Sequence, residues 1–190
     1  MIHKLDLETK NLHGSFNKSY EPILTINSGD SIQLKTLDIQ WGYSSTKEEE
    51  RIIFESGVQE EKPGHPMIGP IFIRDAKPGN VLEVRVNELI PGWYGRNWAG
   101  GIPSWQNEKL GLIDTERLQV DWELDATTMT GSGEIGDQTF HVGLSPFMGV
   151  MGVAPVEAGI HATPPPRYCG GNIDCKELVR GSSLFLPISV

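Results

Sequence analysis

The sequence predicts an all-β protein, a two-sheet β-sandwich or jelly-roll with long loops rich in glycine, proline and aromatic residues. The first observation is composition, because the 190 residues include 22 glycines and 13 prolines, well above the roughly 12% that these two residues contribute on average. The second is that short apolar segments alternate with polar residues, as half-buried strands do. The third is that no segment sustains the 3.6-residue apolar period of a helix. These patterns favour an antiparallel sandwich.

The first two predicted strands lie on either side of a tight turn. Residues 22–26 form one strand and residues 31–36 the other, with Leu37 out of phase. Residues 28–30, Ser-Gly-Asp, have the composition of a turn between strands. We therefore expect a strand-turn-strand unit near the N-terminus.

The clearest alternation covers residues 81–89. Its leucine and valine residues fall on one face and its charged and polar residues on the other, as a sheet with one solvated face requires. Helix-compatible windows are short, such as residues 114–118. Further strands are predicted at residues 118–124, 138–142 and 183–188.

Two long segments between the predicted strands are rich in glycine and aromatic residues. They cover residues 91–103 and 145–166. Loops of a sandwich collect at the sheet edges and commonly carry the functional site. The tryptophans of the first loop fit either an apolar wall around a small substrate or part of a subunit contact.

The charge of the chain excludes several classes of partner. Its 25 acidic and 16 basic residues leave a formal charge of −9, which repels phosphate backbones and anionic lipid headgroups. No apolar run approaches the roughly 18–20 residues that cross a bilayer, and the first ten residues do not resemble a signal peptide. We predict a cytoplasmic protein with no nucleic-acid or membrane partner.

The two cysteines, Cys169 and Cys175, lie close together in the sequence. Two reduced, unrelated thiols are expected in a cytoplasmic protein, where disulfides are uncommon. A zinc-binding pair is the alternative, and it would need two further ligands.

Candidate catalytic residues are histidines and aspartates scattered over strand ends and loops. The sequence contains no phosphate loop, serine-nucleophile elbow, His-Glu-x-x-His motif or dinucleotide fingerprint. Histidine and aspartate together suit zinc or another divalent cation, which polarises a carbonyl and supplies hydroxide near neutral pH. The candidates are His13, Asp38, His65, His141, His161 and Asp174.

A structural role is the alternative for each candidate. Asp38 ends an apolar strand and fits a turn cap equally well. His65 fits a buried histidine bonded to a loop carbonyl as well as it fits a ligand, and His141 alternates with apolar residues inside a predicted strand, which favours a structural role. Asn172 and Asp174 either project side by side from an extended segment or form Asx turns.

The N-terminal half contains an ordered series of short motifs. It begins with His13, a strand from Pro22, a Gly-Asp turn and a strand ending in Asp38. This order resembles the N-terminal signature of the acetamidase/formamidase family. Residues 64–73 resemble its His-Pro-x-x-Gly-Pro strand. Residues 76–82 resemble its Ala-x-Pro-Gly-Asp-x-Leu turn, with asparagine in place of the aspartate.

The C-terminal half continues the resemblance in the same order. Residues 146–155 are similar to the family's Pro-x-x-Gly-x-x-Gly-Val-Ala-Pro loop. Residues 170–174 are similar to its Gly-Asn-x-Asp element, and residues 181–187 to its Gly-Ser-x-Leu-x-Leu-Pro element. The shared order of these motifs carries the resemblance over nearly the whole chain.

The resemblance implies a hydrolase that converts small linear amides, formamide or acetamide, to a carboxylate and ammonia. It also implies a two-sheet sandwich, a homo-oligomer, and a divalent metal, zinc or alternatively calcium. By motif position it implies that Asp38, Asn172 and Asp174 are catalytic. It implies that His13, Asp38, His65 and Asp174 bind the metal.

One family motif has no counterpart in these 190 residues. The family continues past the strand that matches residues 184–190 into a Gly-Asp-x-His-x-x-Gln-Gly-x-Gly-Glu segment, which would add an aspartate, a histidine and a glutamate to the site. We therefore interpret residues 1–190 as a single domain that lacks this segment, and expect a homo-oligomer or a second chain that supplies it. The alternative is a non-catalytic binding or assembly subunit with the same sandwich fold.

Overall fold

The computed structural model describes residues 1–60, 63–164 and 166–190, and it is all-β, with 37% of the residues in strands and 4% helical. The predicted fold class, an all-β sandwich, is confirmed. Pro165, within the second predicted loop, lies outside the described residues. In the described part of the chain, every helix is too short or too polar to span a membrane.

Among the described residues the strands are short, and they are interrupted by one α-helix, α1 (Trp105–Lys109), and a 3-10 turn at Thr9–Asn11. In chain order they are β1 (Ile2–Leu5), β2 (Leu12–His13), β3 (Ser15–Phe16), β4 (Leu24–Ile26), β5 (Ser31–Leu34), β6 (Gly42–Tyr43), β7 (Ile52–Ile53), β8 (Met67–Ile68), β9 (Ile71–Ile73), β10 (Val81–Arg85), β11 (Tyr94–Ala99), β12 (Leu118–Asp125), β13 (Thr130–Ile135), β14 (Gln138–Gly143), β15 (Val150–Gly152), β16 (His161–Ala162), β17 (Gly170–Asn172) and β18 (Ser183–Pro187).

The chain divides into two compact units. The first consists of Met1–Ser44, Glu48–Glu88 and Phe147–Val190. The second consists of Ser45–Lys47 and Leu89–Pro146, so in sequence it is an insertion into the first. The single domain expected over residues 1–190 stays a prediction.

Strands of the first unit pair two by two, and most pairs join segments far apart in sequence. β1 with β5 and β4 with β9 are parallel. Five pairs are antiparallel: β2 with β8, β3 with β16, β6 with β7, β10 with β18, and β15 with β17. Two of them matter for the site, because His13 lies opposite Met67 and Ser15 lies opposite Ala162.

The most deeply buried side chains of the first unit lie on and around β2 and β3. Leu12 and Ser15 are each 1% exposed, and Thr163 and Cys169 are completely buried. Phe16 packs against Gly152, where a Cβ would lie 2.6 Å from the phenyl ring. The segment that carries His13 is therefore held inside the unit.

The second unit contains an antiparallel sheet in the order β11-β12-β13-β14. Its cross-strand register places Glu123 beside Ser132 and Ser132 beside His141 on one face. An open cleft of about 690 Å³ lies over this face. His141 lies in the strand predicted there, and it is exposed.

The sequence-predicted strands are confirmed with somewhat different ends, but two local predictions are wrong. The segment 91–103, predicted as a loop, contains β11, because pairing with β12 satisfies its backbone despite its glycines and aromatic residues. The segment 145–166, also predicted as a loop, contains β15 and β16. The helix is α1, whose N-cap Ser104 accepts a hydrogen bond from the Asn107 amide at 3.1 Å.

Candidate active site

His13 is a buried imidazole with one nitrogen fixed by the backbone. The residue is 6% exposed, and its Nδ1 lies 2.8 Å from the Ser15 carbonyl oxygen. A carbonyl can only accept, so Nδ1 carries the hydrogen and the neutral ring presents a lone pair at Nε2. A Cβ on Gly69 would lie 3.5 Å from Nε2, so this edge of the ring faces a residue without a side chain. The arrangement suits a general base or a metal ligand.

His13 gives the fold a pH dependence with a definite sign. Burial lowers the pKa of His13 below its ordinary value of 6.5, although the Ser15 carbonyl and Glu60 oppose the shift. The unfolded chain therefore protonates this residue at a higher pH than the folded chain, and the free energy of unfolding decreases as the pH falls below about 6.5.

We expect His13→Gln to flatten this dependence between pH 7.5 and 5.5, measured by urea denaturation at several pH values. His141→Gln, at an exposed histidine of β14, is the control and should keep the wild-type slope. Equal slopes in the wild type and His13→Gln would contradict the assignment of this pH window to His13.

The Asp38 carboxylate accepts hydrogen bonds from an arginine and from backbone amides of its own turn. Its Oδ2 accepts from Arg51 Nε at 2.8 Å and its Oδ1 from Arg51 Nη2 at 2.7 Å. The Gln40 and Gly42 amides also donate to Oδ1, at 2.8 and 3.0 Å. Asp38 thus performs the turn-capping role that the sequence left open. Its predicted catalytic and metal-binding roles stay predictions, and these contacts do not supply support for them.

His65 is attached to two other segments through its backbone and that of Gly64. The His65 amide donates to Thr163 Oγ1 at 2.8 Å, and the Gly64 amide donates to the Gly14 carbonyl at 2.7 Å. The Gly64 carbonyl accepts from the Trp41 indole at 3.0 Å. His65 Nδ1 is buried and has no hydrogen-bond partner among the described residues.

Asn172 and Asp174 project side by side, one of the two geometries that the sequence allowed. Asn172 Nδ2 donates to Asp174 Oδ2 at 2.8 Å. The remaining oxygens lie over Gly149, where a Cβ would be 3.2 Å from Asp174 Oδ1 and 3.6 Å from Asn172 Oδ1. This glycine leaves room for the pair.

Thr163 connects the histidine segment to the Asn172 segment. It is completely buried. Its hydroxyl oxygen accepts from the His65 amide, and its carbonyl accepts from the Asn172 amide at 2.9 Å. Sequence patterns did not identify Thr163, because nothing local distinguishes it from other threonines in a proline-rich segment.

Glu60 is a second residue that the sequence patterns missed. Its Oε1 accepts from the Gly14 amide at 2.8 Å and from the Ser56 hydroxyl. Its Oε2 is buried without a hydrogen-bond partner in the described residues. Glu60 also acts electrostatically on His13. Two unpaired polar atoms, on Glu60 and His65, therefore lie on segments that both bond to Gly14.

The structure connects the segments of all five predicted site residues through hydrogen bonds. The segments of His13, His65, Asn172 and Asp174 are connected through Gly14, Gly64 and Thr163. The turn of Asp38 joins them through the Trp41 indole.

A metal centre does not fit the described residues on their own. No group of three His, Cys, Asp or Glu side chains among residues 1–60, 63–164 and 166–190 is placed to hold an ion. Both cysteines are free thiols, as expected: Cys169 is buried, which raises its pKa, and the Cys175 thiol donates to Glu177. The divalent metal stays a prediction.

Solved structures of amidases share this fold. An acetamidase from Bacillus halodurans superposes with a TM-score of 0.72 at 20% identity, over 98% of this chain and 58% of that one. A predicted acetamidase/formamidase from Thermoanaerobacter tengcongensis gives 0.72 at 23% identity, over 100% and 58%. A γ-lactamase from Delftia acidovorans gives 0.70 at 18% identity, over 96% and 55%. The chain spans less than two thirds of the length of each.

The family assignment comes from the sequence itself. The model of the Acetamidase/Formamidase family matches residues 2–162. The chain belongs to this family, which confirms the resemblance carried by its motifs. A search of curated proteins found no match.

Proposed function

We propose that this chain hydrolyses small linear amides, such as formamide and acetamide, to a carboxylate and ammonia. Family membership supports amide hydrolysis in general. The observation that carries the proposal concerns Gly14, the residue after His13. Its backbone bonds to Glu60 and to the segment of His65, and each of these two residues has a buried polar atom without a partner among the described residues. His13 itself is neutral and is held by the Ser15 carbonyl. Buried polar atoms are rarely left without a partner unless a ligand or water pairs with them.

In the proposed reaction His13 is the general base. Its Nε2 accepts a proton from a water molecule while the water oxygen bonds to the amide carbonyl carbon. The proton is then passed to the amide nitrogen, the carbon–nitrogen bond breaks, and ammonia leaves. The carboxylic acid that remains loses its proton to solvent and departs as the carboxylate. Ser15 holds the tautomer that this step needs.

In this proposal Glu60 and His65 orient the amide. Glu60 Oε2 would accept a hydrogen bond from an N–H of the substrate, and His65 Nδ1 would form a second hydrogen bond to the substrate. Asn172 and Asp174 would contribute polar groups, with Asp174 at the exposed side. Asp38 acts at a distance, by holding its turn.

The direct test is ammonia release by the purified chain from formamide and acetamide, with added zinc and with a chelator. We expect release from the linear amides. Asp174→Asn should lower the rate about tenfold, the effect of losing one charge-assisted hydrogen bond. Asp137→Asn, in the turn between β13 and β14 of the second unit, is the control. Absence of release under every condition would contradict the proposal.

The second candidate is a non-catalytic binding or assembly subunit. The β10–β18 ribbon favours it, because Val81 and Phe185 are each 63% exposed on its outer face. Apolar side chains on a sheet surface are typical of contacts with another chain. Light scattering distinguishes this candidate, since a stable monomer would count against it and against the proposed homo-oligomer or second chain.

A further inference from the structure

We propose that Trp41 is a positioning residue of the candidate site, because it joins the Asp38 turn to the two glycines that flank His13 and His65. The effect of Trp41 on catalysis rests on the proposed amidase function. The contacts themselves belong to the fold.

The Trp41 ring packs against both glycines. Its Cζ2 lies 2.8 Å from the position that a Cβ of Gly14 would occupy, so the ring contacts the backbone directly after His13. Its indole nitrogen donates to the carbonyl of Gly64 at 3.0 Å, directly before His65. The Gly64 amide in turn donates to the Gly14 carbonyl at 2.7 Å. One side chain therefore contacts both histidine segments where they bond to each other.

The backbone of Trp41 is held in a conformation that bulky residues rarely adopt. Its φ is +62°, in the left-handed region. Its amide donates to the Asp38 carbonyl at 3.0 Å, and its carbonyl accepts from Phe54 at 2.8 Å. Such strain persists only where surrounding contacts enforce it, and it is concentrated at functional sites.

The Asp38 carboxylate provides that enforcement. It accepts from the amides on both sides of Trp41, those of Gln40 and Gly42. Arg51 binds both carboxylate oxygens. A path of direct contacts therefore runs from Arg51 through Asp38 and Trp41 to the histidine segments. Small displacements of reacting groups cost much of the rate, so fixing these segments bears directly on catalysis.

The test is Trp41→Phe, which keeps an aromatic ring and removes the indole donor. Long-range ¹H–¹⁵N NMR of the histidine rings reports their positions and tautomers without any need for activity. We expect the His13 and His65 signals to shift and the His141 signals to stay unchanged. Trp105→Phe, at a 68% exposed tryptophan of α1, is the matched control and should shift neither. Unchanged His13 and His65 signals in Trp41→Phe would overturn the proposal.

A second variant covers the case in which Trp41→Phe does not fold. Arg51→Gln weakens the hold on the turn and leaves Trp41 and the glycines in place. We expect smaller shifts of the same His13 and His65 signals. If Arg51→Gln folds and leaves both unchanged, the path from Arg51 to the histidines is refuted.

Kinetics separate this inference from the proposed function. If the wild-type chain releases ammonia from formamide, Trp41→Phe should lower kcat/KM about tenfold, whereas Trp105→Phe stays within about twofold. Wild-type kcat/KM in Trp41→Phe would overturn the positioning role. If the wild-type chain releases none, the proposed function fails, and the NMR shifts alone decide the role of Trp41.

Discussion

Gly14→Ala is expected to lower the free energy of unfolding by about 3 kcal/mol, the upper range for overpacking in a core. A Cβ at this position would lie 2.7 Å from Pro63 Cβ, 2.8 Å from the Gly64 amide nitrogen and 2.8 Å from the Trp41 ring. Backbone and proline atoms cannot move aside as the end of a flexible side chain can. The loss would be measured by urea denaturation.

Gly143→Ala is the matched control for this change, since nothing lies within 4 Å of a Cβ there. We expect a change within about 0.5 kcal/mol, as for other substitutions without new contacts. We also expect Gly14→Ala to abolish amide hydrolysis, because Gly14 bonds to both Glu60 and Gly64. An equal, small effect of the two variants would show that the Gly14 region relaxes at little cost.

Asp38→Ala should also destabilise the fold by about 3 kcal/mol. The change removes the acceptor of four hydrogen bonds, two from Arg51 and two from backbone amides. It also removes the carboxylate that binds the Arg51 guanidinium, which is 31% exposed. Removing one partner of a partly buried, hydrogen-bonded ion pair lowers the stability far more than losing an exposed ion pair does.

The second unit offers a matched control in the Arg96–Asp121 pair, whose aspartate is 62% exposed. Asp121→Ala is expected to cost below about 1 kcal/mol, as exposed ion pairs do. A double-mutant cycle of Asp38→Ala with Arg51→Met isolates the coupling of the first pair. If Asp38→Ala lowers the free energy of unfolding no more than Asp121→Ala does, the Asp38 carboxylate does not stabilise its turn.

Strand prediction succeeded where alternation was long. Residues 118–124 and 138–142 were predicted from it, and the strands observed there are Leu118–Asp125 and Gln138–Gly143. The strand Tyr94–Ala99 was missed because its glycine and aromatic content is typical of a loop, and only the pairing with β12 makes it a strand. Local periodicity cannot report pairing that tertiary contacts decide.

The candidate site, like the strands, could be predicted only in part. Motif order pointed to His13, His65 and the Asn172–Asp174 pair, and hydrogen bonds connect their segments. Thr163 and Trp41 could not be predicted, because their roles consist of contacts with residues distant in sequence. The contact of Thr163 with His65, for example, spans 98 positions. Composition and spacing carry no information about such pairs.

The long-range pairing of the first unit also affects how the protein is made. β3 pairs with β16, and the His65 amide bonds to Thr163 across 98 positions, so the histidine segments wait for partners that are synthesised about a hundred residues or more later. Chains dominated by such contacts fold slowly, in milliseconds to seconds, because loop closure precedes any gain from pairing. On the ribosome, the N-terminal strands would emerge long before β16 and β17 exist. The site can therefore assemble only once translation has passed Asn172. Until then the N-terminal strands lack their partners and are exposed to aggregation.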